Sequence, residues 1–176
     1  RLSSLDSMTI EFGNVFSDHY YRQKWSNGKW HEANIAPLTD ILINPAALGL
    51  HYGQAVFEGL KAYRGTHDNR IRLFRPDKNA IRLRNSCERL CIPAVSIDNF
   101  LEAIVTLVSV EHQWVPKSRL QTLYLRPLLF ASEGHLSVRP ANSYEFLVLA
   151  APVSEYFDRS GPGIRLKAED RFTRAA

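Results

Sequence analysis

Alternation and helical spacing divide the first 150 residues into a series of short elements. Residues 20–36 alternate apolar and polar side chains on either side of Asn27-Gly28, a pair that readily takes the positive φ angles of a tight turn, and so predict a β-hairpin. Shorter runs at 60–64 and 71–74 flank the polar stretch Gly65-Thr66-His67-Asp68-Asn69 and predict a second hairpin. Arg75-Pro76-Asp77 then announces a helix, because proline suits a first turn and Asp77 favours the positive end of the helix dipole. That helix is predicted to reach about residue 90 and to close before Ile92-Pro93, with Ala80, Ile81, Leu83, Cys87, Leu90 and Cys91 on one face and Arg84, Glu88 and Arg89 mostly off it. A second helix is predicted over 97–113, with Ser96 or Asp98 near its cap and Phe100, Leu101, Ile104, Leu107 and Val108 toward the core. Two apolar runs, 120–130 and 144–151, predict strands. Hairpins, then two helices, then strands argue for an α+β fold, with helices layered on a largely antiparallel sheet.

After this the pattern breaks. Residues 151–163 are rich in glycine, proline and charge and predict a linker, and residues 164–168 predict a fresh strand. The expected organisation is a small domain over 1–150, a linker over 151–163 and the start of a second domain over 164–176. Met8 reads as a native start, with residues 1–7 an expression remnant. No internal repeat or low-complexity tract interrupts the chain.

Composition narrows the class. At 45% hydrophobic and 23% charged residues the chain can bury a core, and its net charge of +4 is scattered, so no basic block points to nucleic acid. Its longest apolar run, 146–153, is interrupted by Pro152 and falls well short of the roughly 20 residues that a membrane helix needs. Cys87 and Cys91, four residues apart on the predicted helix, form a poor disulfide and an incomplete metal site. They are expected to be buried thiols of a reducing compartment: the cytoplasm, or an organelle after loss of a transit peptide. No metal site is expected.

Candidate chemistry begins in Leu50-His51-Tyr52-Gly53-Gln54-Ala55-Val56-Phe57-Glu58-Gly59-Leu60-Lys61-Ala62-Tyr63-Arg64. With Gly49, its glycines let the backbone turn or approach a ligand, and Tyr52 and Phe57 offer rigid pocket walls; a tight turn feeding a buried strand is the plainer alternative. In Tyr124-Leu125-Arg126-Pro127, two-residue alternation sets Tyr124 and Arg126 on one face. An arginine there is costly to bury without an anion, so either Arg126 pairs internally with a carboxylate such as Glu58, or Tyr124 and Arg126 orient a substrate carboxylate. Arg82 is either a solvated helix arginine or a phosphate clamp.

These residues resemble a family. The stretch 50–64 is similar to branched-chain amino-acid aminotransferases, fold-type IV pyridoxal-phosphate enzymes, and so are Leu73-Phe74-Arg75-Pro76, Asn79-Ala80-Ile81-Arg82, Arg89-Leu90-Cys91-Ile92-Pro93, Trp114-Val115-Pro116, Leu123-Tyr124-Leu125-Arg126-Pro127, Leu136-Ser137-Val138 and Ala151-Pro152-Val153 with Tyr156-Phe157. They occur in family order over most of the chain. The resemblance implies the small domain of such an enzyme, moving an amino group between leucine, isoleucine or valine and 2-oxoglutarate. It implies that Arg82 holds the phosphate of pyridoxal 5′-phosphate, and that Phe57, Gly59, Tyr124 and Arg126 line the substrate pocket. Tyr52, Leu136 and Val138 are implied to reach that pocket across a homodimer interface, and Tyr156 to belong to a loop that covers substrate. An apolar cage would take the branched side chain, while Arg126 and Tyr52 receive the side-chain carboxylate of glutamate.

Three departures accompany the resemblance. Ser137 stands where the family commonly has glycine, and Ser154 where it has glycine or alanine. The third concerns the lysine that holds the cofactor as a Schiff base, which in the family follows an Arg-Ala pair like Arg174-Ala175. Lys24, Lys29, Lys78, Lys117 and Lys167 do not fit that role, and Lys61 matches an ordinary strand position. The catalytic lysine is therefore expected beyond Ala176, and these residues alone are expected to be inactive. The alternatives are a relative of the same fold acting on D-amino acids or aminodeoxychorismate, against which the Tyr-Leu-Arg-Pro strand leans, and a non-catalytic dimerisation module.

Overall fold

The computed structural model of the chain describes residues 10–155 and 163–172. Strand β1 (His19–Ser26) turns through Asn27 and Gly28, at φ 54° and 75°, into β2 (Lys29–Trp30), with Trp25 opposite Trp30. The turn is the expected one, since both central residues hold positive φ. β3 (Asn34–Pro37) folds back onto β1, with Tyr21 opposite Ile35. One helical turn, α1 (Leu48–Tyr52), which the sequence pattern did not predict, is closed by Gly53 at φ 64°, a left-handed conformation that glycine adopts without strain. Next come β4 (Ala55–Phe57) and the predicted second hairpin of β5 (Leu60–Arg64) and β6 (Ile71–Leu73). Helices α2 (Pro76–Arg89) and α3 (Ile97–Val110) precede the long strands β7 (Thr122–Ala131) and β8 (Ser143–Val153).

Together the strands form one antiparallel sheet in the order β2-β1-β8-β7-β5-β6, with β3 also on β1 and β4 also on β7. β4 and β5 are one interrupted strand, pairing with β7 in a single register: Phe57 opposite Leu128, Leu60 opposite Leu125. The interruption at Glu58-Gly59 faces Pro127. Glu58 N–H donates to the Pro127 carbonyl at 2.9 Å, but the proline nitrogen has no hydrogen to return. The last strand is expected over 144–151, whereas β8 runs on through Pro152 to Val153. Its missing N–H would serve the side of the ladder that lies past the start of β1, so nothing there is lost.

Alternation divides the sheet's two faces. Leu60, Ala62, Leu123, Leu125, Leu129, Phe146 and Val148 point toward the helices and bury against Ala80, Leu83 and Cys87 of α2 and Phe100, Ala103, Ile104 and Leu107 of α3. Each leucine so buried contributes about 2 kcal/mol. α3 is capped by Ser96, whose hydroxyl accepts from Asn99 N–H at 3.1 Å. It ends at Val110 rather than near 113, and a 3₁₀ turn (His112–Trp114) tucks Trp114 inward with its indole N–H on Asp18 at 3.1 Å. The opposite face is only partly covered: Tyr20, Phe130 and Leu147 cluster there under Ala36, Ile41 and Ile43.

Other expectations are corrected. Residues 163–172 form no strand, because a strand needs a hydrogen-bonded neighbour and no described strand pairs with them. Cys87 is buried, its thiol pushed up to about 12 by that burial, but Cys91 is exposed. Because α2 stops at Arg89 and Cys91 turns to φ 52°, Leu90 and Cys91 leave the core face. Among the described residues no helix is long and apolar enough to cross a membrane, and no group of His, Cys, Asp and Glu is arranged to hold a metal. Met8, Tyr156 and Arg174-Ala175 lie outside the described residues.

Candidate functional site

The open face of the sheet gathers four of the expected residues. Tyr124 and Arg126 alternate outward from β7, Phe57 emerges opposite Leu128, and the same register sets Gly59 across from Arg126. The Tyr124 ring leans over Gly59. A Cβ at residue 59 would lie 3.1 Å from the ring carbon Cζ and closer still to Oη, so only glycine leaves the ring its place. The Tyr124 hydroxyl accepts from Arg126 Nε at 3.1 Å and Nη2 at 2.9 Å. The Arg126 guanidinium also sits 4.5 Å from the Phe57 ring centroid, within cation–π range.

Two hollows border this group. One of about 490 Å³ is lined by Ile10, Phe12, Lys61, Tyr124, Val153 and Ser154 among others. A smaller one of about 260 Å³ is lined by Gly59, Lys61, Tyr63, Phe74, Asn79 and Tyr124 among others. Phe12 meets Tyr124 edge to face at 4.9 Å, a favourable aromatic geometry. Its segment is tied down by Ser154: Ile10 N–H donates to Ser154 Oγ at 2.9 Å, and Ser154 N–H donates to the Ile10 carbonyl at 3.2 Å. The hydroxyl that departs from the family pattern thus acquires an acceptor role. Sequence reading missed Phe12, which precedes β1 with no periodicity to place it. It also passed over Lys61 as a pocket residue, although strand alternation sets Lys61 directly opposite Tyr124.

Glu58 does not pair with Arg126. Strand alternation points it to the helix side, where it is 3% exposed, and it accepts from Arg82 Nε and Nη2, both at 2.6 Å, and from Asn79 Nδ2 at 2.8 Å. Burial opposes ionisation of Glu58, but the hydrogen bonds from Arg82 and Asn79 outweigh it and hold the carboxyl below the usual range; the same bond holds the Arg82 guanidinium above its ordinary value. Arg126 has no carboxylate partner among the described residues. Arg82 is not among the residues lining the smaller hollow, but Asn79, one turn earlier on α2, lines it and binds the same carboxylate.

Tyr52, Leu136 and Val138 are not part of that cluster. They stand on an exposed corner, at 46%, 63% and 84% exposure, and the Tyr52 hydroxyl donates to the Leu136 carbonyl, joining α1 to the 132–142 loop. Ser137 N–H bonds His135 Nδ1 at 2.9 Å. Glu133 braces the loop, accepting from Arg139 Nη2 at 2.7 Å, Nη1 at 3.0 Å and Asn142 N–H at 2.6 Å; these bonds, Arg139 first, hold its carboxyl down at about 2. A carboxylate depressed in this way stabilises above its unfolded value and loses that contribution as pH falls toward 2. Glu133→Gln is therefore expected to lower the melting temperature by about 2 °C at pH 7. Melting curves of the two proteins should converge as pH is taken from about 4.5 down to 2, and a gap that stays constant would rule out the brace.

No protein-family model matches the chain. It is 42% identical over 173 residues to branched-chain-amino-acid transaminase 1 of Bacillus subtilis, an alignment covering 97% of this chain and 48% of that protein. Branched-chain amino acid aminotransferase of Escherichia coli shares the fold with a TM-score of 0.64 at 24% identity, covering 82% of this chain and 42% of that one. A further solved branched-chain amino acid aminotransferase, in complex with N-(5′-phosphopyridoxyl)-L-glutamate, superposes with a TM-score of 0.54 at 27% identity over 76% of this chain and 40% of that one. The chain spans about half the length of the curated relatives it matches. Proteins about 40% identical over nearly all of it are branched-chain aminotransferases, and its fold is that of the fold-type IV aminotransferases.

Proposed function

We propose that this chain, homologous over nearly all its length to branched-chain aminotransferases, forms the small domain of an enzyme that moves an amino group between branched-chain L-amino acids and 2-oxoglutarate. The observation that carries this is the guanidinium of Arg126, set against the rings of Phe57 and Tyr124, the second of which lines both hollows, and bonded to no described carboxylate. One pocket has to accept both a branched aliphatic side chain and the side-chain carboxylate of glutamate. Phe57 and Phe12 offer apolar ring surface for the first. Arg126, steadied on its Nε edge by the Tyr124 hydroxyl, offers charge for the second.

The residues present fit the phosphate of pyridoxal 5′-phosphate. Arg82 spends Nε and one Nη2 hydrogen on Glu58 and keeps outward donors on a side chain that is 68% exposed, a donor set suited to phosphate oxygens. The chemistry that pyridoxal phosphate supplies when bound is an electron sink for the charge left as the substrate's α-hydrogen departs. In this chain Arg82 would anchor, Tyr124 and Arg126 orient, and Phe57 exclude water from the apolar end. We assign the tethering lysine to sequence beyond Ala176. Tyr52, Leu136 and Val138 are assigned to the pocket of a second copy; their joint exposure on one corner supports that.

A substrate panel on the full-length protein tests the assignment. L-Leucine, L-isoleucine and L-valine should each donate an amino group to 2-oxoglutarate, with L-glutamate working in reverse. Turnover of D-alanine alone would overturn it.

A further inference from the structure

We propose that Glu58, assisted by Asn79, is a positioning residue that orients the Arg82 guanidinium toward a bound phosphate; this rests on the reading of Arg82 as the phosphate-binding arginine. Glu58 sits where the sheet is broken opposite Pro127, and its own N–H is fixed on that proline's carbonyl. From there its carboxylate enters the helix side of the sheet and grips Arg82 by two bonds of 2.6 Å, while Asn79 Nδ2 bridges the carboxylate, at 2.8 Å, and the Gly59 carbonyl, at 3.3 Å. Two parallel charge-assisted bonds fix both the plane and the direction of a guanidinium. Without them Arg82, on the exposed side of α2, would have to give up rotamer freedom each time it bound a ligand.

The arrangement leaves the two N–H groups of Nη1 and the outer N–H of Nη2 directed away from the carboxylate. A phosphate is bound by aligned donors as well as by charge. The carboxylate behind Arg82 gives up some charge and supplies alignment. Holding the fold together is a weaker account of the same pair, because a buried carboxylate paired with arginine gains little over an apolar residue of equal size.

The test uses the full-length protein freed of cofactor. Dissociation constants for pyridoxal phosphate and for pyridoxal are measured on the wild type, Glu58→Gln, Asn79→Ala and Arg82→Ala. The ratio of the two constants isolates what the phosphate contributes. Glu58→Gln should weaken pyridoxal phosphate about 10-fold and leave pyridoxal within about twofold. Asn79→Ala should act in the same sense, about threefold. Equal weakening of both ligands by Glu58→Gln would make Glu58 a structural residue only, and unchanged or tighter pyridoxal phosphate binding would mean that its charge merely opposes the phosphate; either outcome overturns the proposal. If Glu58→Gln does not fold, Asn79→Ala decides, and an unaltered ratio in it is the overturning result. An unaltered ratio in Arg82→Ala would instead sink the assignment of Arg82, separately from the role of Glu58.

Discussion

Arg126→Ala in the full-length protein is expected to lower kcat/KM for glutamate by on the order of 100-fold, while that for leucine falls by less than about 10-fold. The asymmetry follows from the environment of the side chain. Arg126 is half-buried on the open face, its Nε and Nη2 donate to the Tyr124 hydroxyl, and its guanidinium carbon lies over the Phe57 ring. A neutral hydroxyl and an aromatic face steady the cation without cancelling its charge. A carboxylate entering beside it gains a charge-assisted bond in surroundings poorer in water than the bulk. Losing such a partner typically costs 2–5 kcal/mol, of which about 2.7 kcal/mol corresponds to 100-fold. Leucine brings no side-chain anion and, on the function proposed above, would rest on the ring surfaces of Phe57 and Phe12, which the substitution leaves in place. Steady-state kinetics with both substrates checks this. Equal losses for the two would show that Arg126 serves a group that they share, such as the α-carboxylate.

How much of this was legible beforehand depended on whether a feature is local. Asn27-Gly28 specified its turn because two residues alone can carry the required φ angles, and Pro76 with Ser96 marked the helix starts for equally local reasons. Tyr124 and Arg126 shared a face because strand alternation admits no other outcome. The partner of Glu58 was different. Alternation along 57–61 sends Phe57, Gly59 and Lys61 to one side and Glu58 to the other, so a pairing with Arg126 was already excluded by parity once β4 and β5 join one register on β7. That register depends on a contact some 70 residues away in sequence, which no local pattern reports. α1 was missed because five residues are too few to show a helical period. A strand is expected over 164–168, but a local run of residues cannot supply the neighbour that a strand needs, and none forms there.

Gly59→Val is expected to abolish most turnover with leucine and glutamate alike, by about 100-fold in kcat/KM, while the melting temperature moves by less than about 3 °C. The Cβ introduced at residue 59 would fall inside the space held by the Tyr124 ring, and the backbone there, held between β4 and β5 in one register on β7, has little room to withdraw. Tyr124 is the part that can yield, by swinging outward from a face with little above it. In doing so it releases the Arg126 Nε and Nη2 bonds and breaks the edge-to-face contact with Phe12. Both the charged end and one apolar wall of the pocket are then lost together, which is why the two substrates should suffer equally, unlike in Arg126→Ala. The core should be indifferent, because Leu60, Ala62, Leu123 and Leu125 bury on the other face of the same strands. Binding of pyridoxal phosphate supplies the control. Glu58, Asn79 and Arg82 are tied together on the helix side, so cofactor affinity should hold within about threefold. If affinity and melting temperature both collapse, Gly59 is needed for the strand break itself, and the steric account of Tyr124 is wrong.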